Sequence, residues 1–191
     1  VLSLLAEQNL LKYYIDLHAH AIKRGVFIYG NALSGEDQVE NLLFPRIMAL
    51  NNPHFDFKSC NFSKKNMSMA DKADGLSKEG SGRVAMYKQL GLVHCYTLEA
   101  NYVSGVRVNT MPGLPAAAAS HPAVVKNEPP DCSEVVPFTE EIFRSIGQTI
   151  GIGLLEMEGA NNAYSRLGQS EFKDIEGLRE HLRERVYAKG G

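Results

Sequence analysis

Two β-prone runs, Tyr13–Leu17 and Leu92–Ala100, bracket a stretch in which apolar residues recur at helical spacing, and this alternation most restricts how the chain folds. Across Asp37 to Leu50 the stripe is Val39, Leu42, Leu43, Ile47, Met48 and Leu50, with Pro45 expected to kink the helix or mark its first turn. Phe55–Cys60 alternates as a strand does. Gly80-Ser81-Gly82 opens a second helix through Val84, Ala85, Tyr87 and Leu90, and Gly91 is its expected left-handed cap. The order strand, helix, strand, helix, strand predicts an α/β sheet with helices packed on it. The run VHCYTLEA has the character of an interior strand.

The flanks complete this outline. Leu2 to Leu11 reads as a helix handing over to the first strand. Asn61 to Lys78 is polar and aperiodic, and Asn101 to Pro137 is proline-punctuated, so both read as long loops, the second an irregular excursion over 101–137. Thr139-Glu140-Glu141 starts a helix with Ile142, Ile146, Ile150, Leu154 and Met157 on one face, and Phe172, Ile175, Leu178, Leu182 and Val186 mark a last one. The chain has 191 residues, 44% hydrophobic, with a formal net charge of -2. It carries no apolar run long enough to span a membrane, and its charge balance argues against a general nucleic-acid binder. Three widely spaced cysteines without a CxxC suggest neither a disulfide scaffold nor a cysteine zinc site, which suits a reducing cytoplasmic setting.

Three features could carry chemistry. Asp16-Leu17-His18-Ala19-His20 ends the first strand, and residues two apart on a strand share a face, so both imidazoles could address one metal. Asp16 strengthens this, because a metal-bound imidazole usually has a carboxylate on its other nitrogen. The plain alternative is a polar surface or a hydrogen-bonded core pair. Glu99 is a carboxylate in an apolar strand, where burial raises a carboxyl toward the range of a general base; otherwise it faces solvent or pairs with Arg107. Ser77 to Arg83 is a glycine-containing helix start that offers amide groups and two cations, Lys78 and Arg83, to an anion, or is simply a cap. It is not a P-loop, since no Gly-Lys-Ser/Thr follows.

Taken together, Tyr14 to Ala21 around the DLHAH run, Lys23 to Asn31, Cys60 to Met67, Ser77 to Val84 (SKEGSGRV) and Tyr96 to Glu99 resemble, in order, motifs of the cytosolic carboxypeptidases. These are zinc peptidases of the metallocarboxypeptidase superfamily, known as tubulin deglutamylases. The DLHAH and KEGSGR wording is most similar to the branch that removes branch-point glutamates. The resemblance implies that residues 1–190 are the C-terminal portion of a three-layer α/β/α catalytic domain with a mixed central sheet. It also implies Zn(2+) as cofactor, with His18 as one of its ligands and Glu99 as the general base. Arg83, with Lys78 as a weaker candidate, falls where specificity for an acidic C-terminal side chain is set. The implied partners are polyglutamylated tubulin or other glutamate-modified protein tails, in the cytoplasm, with microtubule and nuclear association possible for such enzymes.

The family's HxxE zinc motif and the Asn and Arg pair that grips the substrate carboxylate have no counterpart here. The 17 residues before His18 hold no histidine. The expectation is therefore an incomplete site, weak zinc binding and no activity for this stretch alone. Two other readings compete. Amidohydrolases also carry Asp-x-His-x-His at a strand end, but in a (β/α)8 barrel of about 250 residues. A truncated domain could instead bind acidic tubulin tails through Lys64, Lys65, Lys78 and Arg83 without cleaving them.

Overall fold

The computed structural model describes residues 2–8, 10–68, 80–116, 118, 129–160 and 163–188. Its elements are α1 (Leu2–Glu7), β1 (Tyr13–His20), β2 (Val26–Tyr29), α2 (Gly35–Asn51), α3 (Lys64–Ser68), α4 (Gly82–Leu90), β3 (His94–Asn101), β4 (Ser104–Arg107), β5 (Asp131–Pro137), α5 (Glu140–Met157) and α6 (Ile175–Ala188). β3 lies between β1 and β2, parallel to β1 and antiparallel to β2, so the main sheet is mixed. An antiparallel neighbour to the central strand is incompatible with the all-parallel sheet of a (β/α)8 barrel.

The strand pleat sorts the sheet into two unlike faces. Ile15, Val26, Ile28, Tyr96 and Leu98 pack with Phe44 and Met48 of α2 and Ile146 of α5, forming one apolar core. The opposite face carries Asp16, His18, Thr97 and Glu99. Helix α2 is the hub of the fold, because Val39, Leu43 and Ile47 on its other side join Leu178 and Leu182 of α6 in a second core. The single stripe read from the sequence is thus two stripes, and Phe44 belongs to the one facing the sheet. Above the second core an ion-pair ladder joins the two helices: Arg179 pairs with Glu40 and Arg183 with Glu36.

Pro45 neither starts α2 nor ends it. Its missing amide deprives the Asn41 carbonyl of the usual partner four residues on. The hydroxyl of fully buried Tyr96 donates to that carbonyl instead, at 3.1 Å. The proline is tolerated because the sheet supplies the lost donor.

Three sequence expectations change. Phe55–Cys60 is not a strand: Phe55 makes one isolated bridge to Val26, and Phe57–Ser59 is a 3-10 turn capped by Asp56, whose side chain accepts from the Ser59 amide. The stretch 101–137 is not wholly irregular, since β4 and β5 pair within it as an antiparallel ribbon. Their pairing joins residues far apart in sequence, a contact that no local pattern encodes. Lys64–Ser68, within the first long loop, is helical. Gly91, by contrast, is left-handed (φ 66) and ends α4 as its composition implies.

Candidate active site

Glu99 lies on the central strand of the main sheet, and that position decides its surroundings. The parallel register sets it directly opposite His18 of β1, and the antiparallel register sets it opposite Phe27 of β2. Adjacent strands are about 4.8 Å apart, so residues paired across them and pointing to one face are immediate neighbours. The row His18, Glu99, Phe27 is flanked by the row Asp16, Thr97, Tyr29. Glu99 is 8% exposed, whereas the His18 side chain, on an outer strand, is 52% exposed. A shielded carboxylate therefore sits beside an accessible imidazole.

Asp16 and His18 act as a pair. The Asp16 carboxylate lies 3.0 Å from His18 Nε2, which leaves Nδ1 as the nitrogen free to meet a metal, in the usual arrangement of a carboxylate-oriented imidazole. His20 has a different task. Its Nδ1 accepts from the amides of Ile22 (3.2 Å) and Lys23 (3.0 Å), which holds the turn between β1 and β2. That nitrogen is consumed, so the two histidines of the motif are not equivalent. Among the described residues no group of three or more His, Cys, Asp or Glu gathers into a metal-holding set. A catalytic zinc takes three protein ligands, so the residues here fit zinc as a contribution of one oriented imidazole, not as a whole site.

Arg83 enters from the first turn of α4. Its position depends on Gly82: a β-carbon there would collide with the Tyr14 hydroxyl, with Tyr14 Cζ only 2.8 Å away. The side chain is 3% exposed and turned inward, and its Nη2 donates to Asn66 Oδ1 (2.6 Å) and to the Asn66 carbonyl (3.3 Å). Burial pulls the guanidinium below its ordinary pKa, and the nearby Tyr29 and Glu99 pull it back up. Burial likewise raises Tyr29, with the Glu99 charge adding to the rise and Arg83 opposing it. Arg83, Tyr29 and Glu99 thus form one electrostatic group. Lys78 lies outside the described residues.

The sequence singles out Asp16, His18, Arg83 and Glu99, and the structure adds Asn66 and Tyr29 to their surroundings. Tyr29 was recoverable, since two-residue alternation from Phe27 puts it on the same face. Asn66, in an aperiodic polar stretch, gave no signal; a contact 17 residues distant brings it to Arg83.

No protein-family model matches the chain. Curated relatives do. Over 180 residues, 94% of this chain, it is 45% identical to cytosolic carboxypeptidase-like protein 5 of Bos taurus, covering 20% of that protein. The human protein of the same name is 46% identical over 175 residues, 91% of this chain and 19% of its own length. Cytosolic carboxypeptidase 3 of Mus musculus is 34% identical over 104 residues, 51% of this chain and 9% of that protein. The chain spans about one fifth of the length of these two cytosolic carboxypeptidase-like protein 5 relatives.

Proposed function

We propose, from the premise that this chain is homologous over nearly its whole length to a segment of the cytosolic carboxypeptidases, that the intact protein is a zinc-dependent carboxypeptidase. Its substrates are C-terminal or branch-point glutamates on protein tails such as those of tubulin, in the cytoplasm. The domain around this segment is a three-layer α/β/α unit with helices on both faces of the mixed sheet. The observation that carries the reading is the strand register that sets Glu99 beside His18, with Asp16 on the far nitrogen of that imidazole.

The residues divide the work as follows. His18 Nδ1 would supply one ligand to zinc, and Asp16 orients the ring through its other nitrogen. When bound, zinc supplies the Lewis acidity that lets water attack an amide at neutral pH. Glu99 accepts the proton of the attacking water at a carboxylate oxygen and returns it to the leaving amine, the two halves of general acid–base work. Burial of Glu99 in the sheet strengthens its electrostatic coupling to the reacting groups. Arg83 provides the positive field that favours an acidic substrate side chain, by direct contact if Asn66 yields its place on the guanidinium and through space otherwise.

In the intact protein Glu99→Gln keeps the shape and zinc content but removes the proton acceptor, so glutamate release from a branched peptide falls by about a thousandfold. Activity within tenfold of the parent, with zinc retained, would sink the assignment. A second reading applies to these 191 residues alone: non-catalytic binding of acidic tails. It is favoured by the single oriented imidazole among the described residues, too few ligands for a working site.

A further inference from the structure

We propose that the groove between α2, the C-terminal half of α6, the Phe57–Ser59 turn and the β4–β5 ribbon docks an acidic peptide segment in extended form. The groove is separate from the candidate active site, for none of Asp16, His18, Arg83 or Glu99 lines it, and the inference does not depend on the peptidase reading. Its volume is about 1160 Å³ and it is partly open to solvent, larger than the clefts of about 300–1,000 Å³ that usually hold small molecules. Leu42, Phe57, Phe62, Val108, Leu182 and Val186 form its apolar surface.

The charges on this surface are one-sided. Arg46, Lys58 and Arg185 line it, and none of the three makes an ion pair among the described residues. On the same helix as Arg185, Arg179 and Arg183 are both doubly paired to glutamates. The single acid of the lining, Asp56, accepts from the Ser59 amide (3.1 Å) and hydroxyl (2.6 Å), so the lining carries three cations to one carboxylate. Arg46 is the most demanding of the cations. Its guanidinium lies 5.6 Å from the Phe57 ring and 5.5 Å from the Phe172 ring, and its buried Nε has no hydrogen-bond partner. Burial of the guanidinium and the missing acceptor at Nε are both costly; of the nearby charges, Glu171 favours the cation and Arg185 opposes it. A ligand carboxylate would supply the missing acceptor and offset both costs.

An extended peptide satisfies both halves of this surface, because its alternate side chains point to opposite sides, apolar ones to the walls and carboxylates to the cations. A nucleic acid would need a row of exposed stacking rings, and here Phe57 faces Arg46 while the exposed Tyr187 carries Glu36 on its hydroxyl, a charge that repels phosphate. A membrane would need a flat surface in place of a walled groove.

The probe is a fluorescein-labelled peptide of about eight residues in which Glu alternates with Leu, titrated into the full chain and followed by anisotropy. Bimane on Cys132, the exposed thiol in the groove wall, reports location, with the labelled residue identified by peptide mass mapping because Cys60 also lines the groove; burial pushes the thiols of Cys60 and Cys95 up to about 12, which slows their labelling. The peptide should bind, perturb the bimane and lose at least about tenfold in affinity to the double variant Lys58→Glu, Arg185→Glu, both exposed positions. Glu99→Gln should bind it as the parent does. No binding up to about millimolar peptide, equal affinity for the charge-reversed variant, or tighter binding of a single-stranded oligonucleotide or an anionic vesicle would each overturn the proposal.

Discussion

Removing one oxygen tests how the proline in α2 is tolerated. In Tyr96→Phe the ring stays stacked on Phe44, with centroids 5.3 Å apart, but the hydroxyl that donates to the Asn41 carbonyl is gone. That carbonyl cannot turn to its own helix, because residue 45 has no amide hydrogen, and the site is fully buried. An acceptor left unsatisfied in such a place costs about 1–3 kcal/mol, against about 1 kcal/mol for a hydrogen bond that water could replace. For a chain of this length, about 2 kcal/mol lowers Tm by roughly 4–8 °C. Chemical unfolding of four species gives the assay: parent, Tyr96→Phe, Pro45→Ala and the double variant. In the Pro45→Ala background the restored amide can serve Asn41, so Tyr96→Phe should cost at least about 1 kcal/mol less than it does alone. A loss from Tyr96→Phe equal in both backgrounds would refute the reasoning and leave only the weak His94 contact, 3.2 Å from the hydroxyl, to explain it.

Three further outcomes follow from the same geometry. Gly82→Ala should destabilise the start of α4 by about 1–3 kcal/mol, and Tyr14→Phe should relieve only part of that because Cζ still lies within 2.8 Å; complete rescue, read by thermal unfolding, would contradict the packing described. His94 is held below its ordinary pKa chiefly by burial, with Glu40 and Glu158 opposing. The folded chain therefore resists the proton that the unfolded chain accepts, so stability falls as pH drops below about 6.5 and down through the lowered folded value. His94→Gln should flatten that limb, and an unchanged pH profile of the unfolding midpoint would count against it. The 191 residues alone should bind zinc weakly, so that metal analysis after gel filtration finds well under one ion per chain; stoichiometric, tightly held zinc would show that this stretch carries a fuller ligand set than His18 with Asp16.

Much of this was legible in the chain. The period switch from Tyr13–Leu17 to Asp37–Leu50, the glycine closing α4, the Thr139 cap and the Ile142, Ile146, Ile150 stripe of α5 are all local patterns, and local patterns follow from backbone sterics and side-chain periodicity. Asp16, His18, Arg83 and Glu99 were nameable because their residue types are anomalous where they stand: two histidines at strand spacing, a carboxylate in an apolar strand, a cation after glycines. The hub role of α2 was not legible, since a helix buried on two sides shows one broad stripe whose division depends on what packs there. Nor were the β4–β5 ribbon and the Asn66 contact with Arg83, both of which join residues without a local signal.

The sequence by itself determined the strands β1 and β3, the helices α2, α4, α5 and α6, and which side chains are chemically out of place, because those properties depend on neighbours a few residues away. Tertiary structure alone decided that His18 stands beside Glu99, that His20 is bound up in a turn, that Arg83 faces Asn66, and that three cations share an apolar groove with no ion pair among the described residues. Strand order and register set these neighbours, and they are chosen by the burial of the whole chain and not by any one stretch of it.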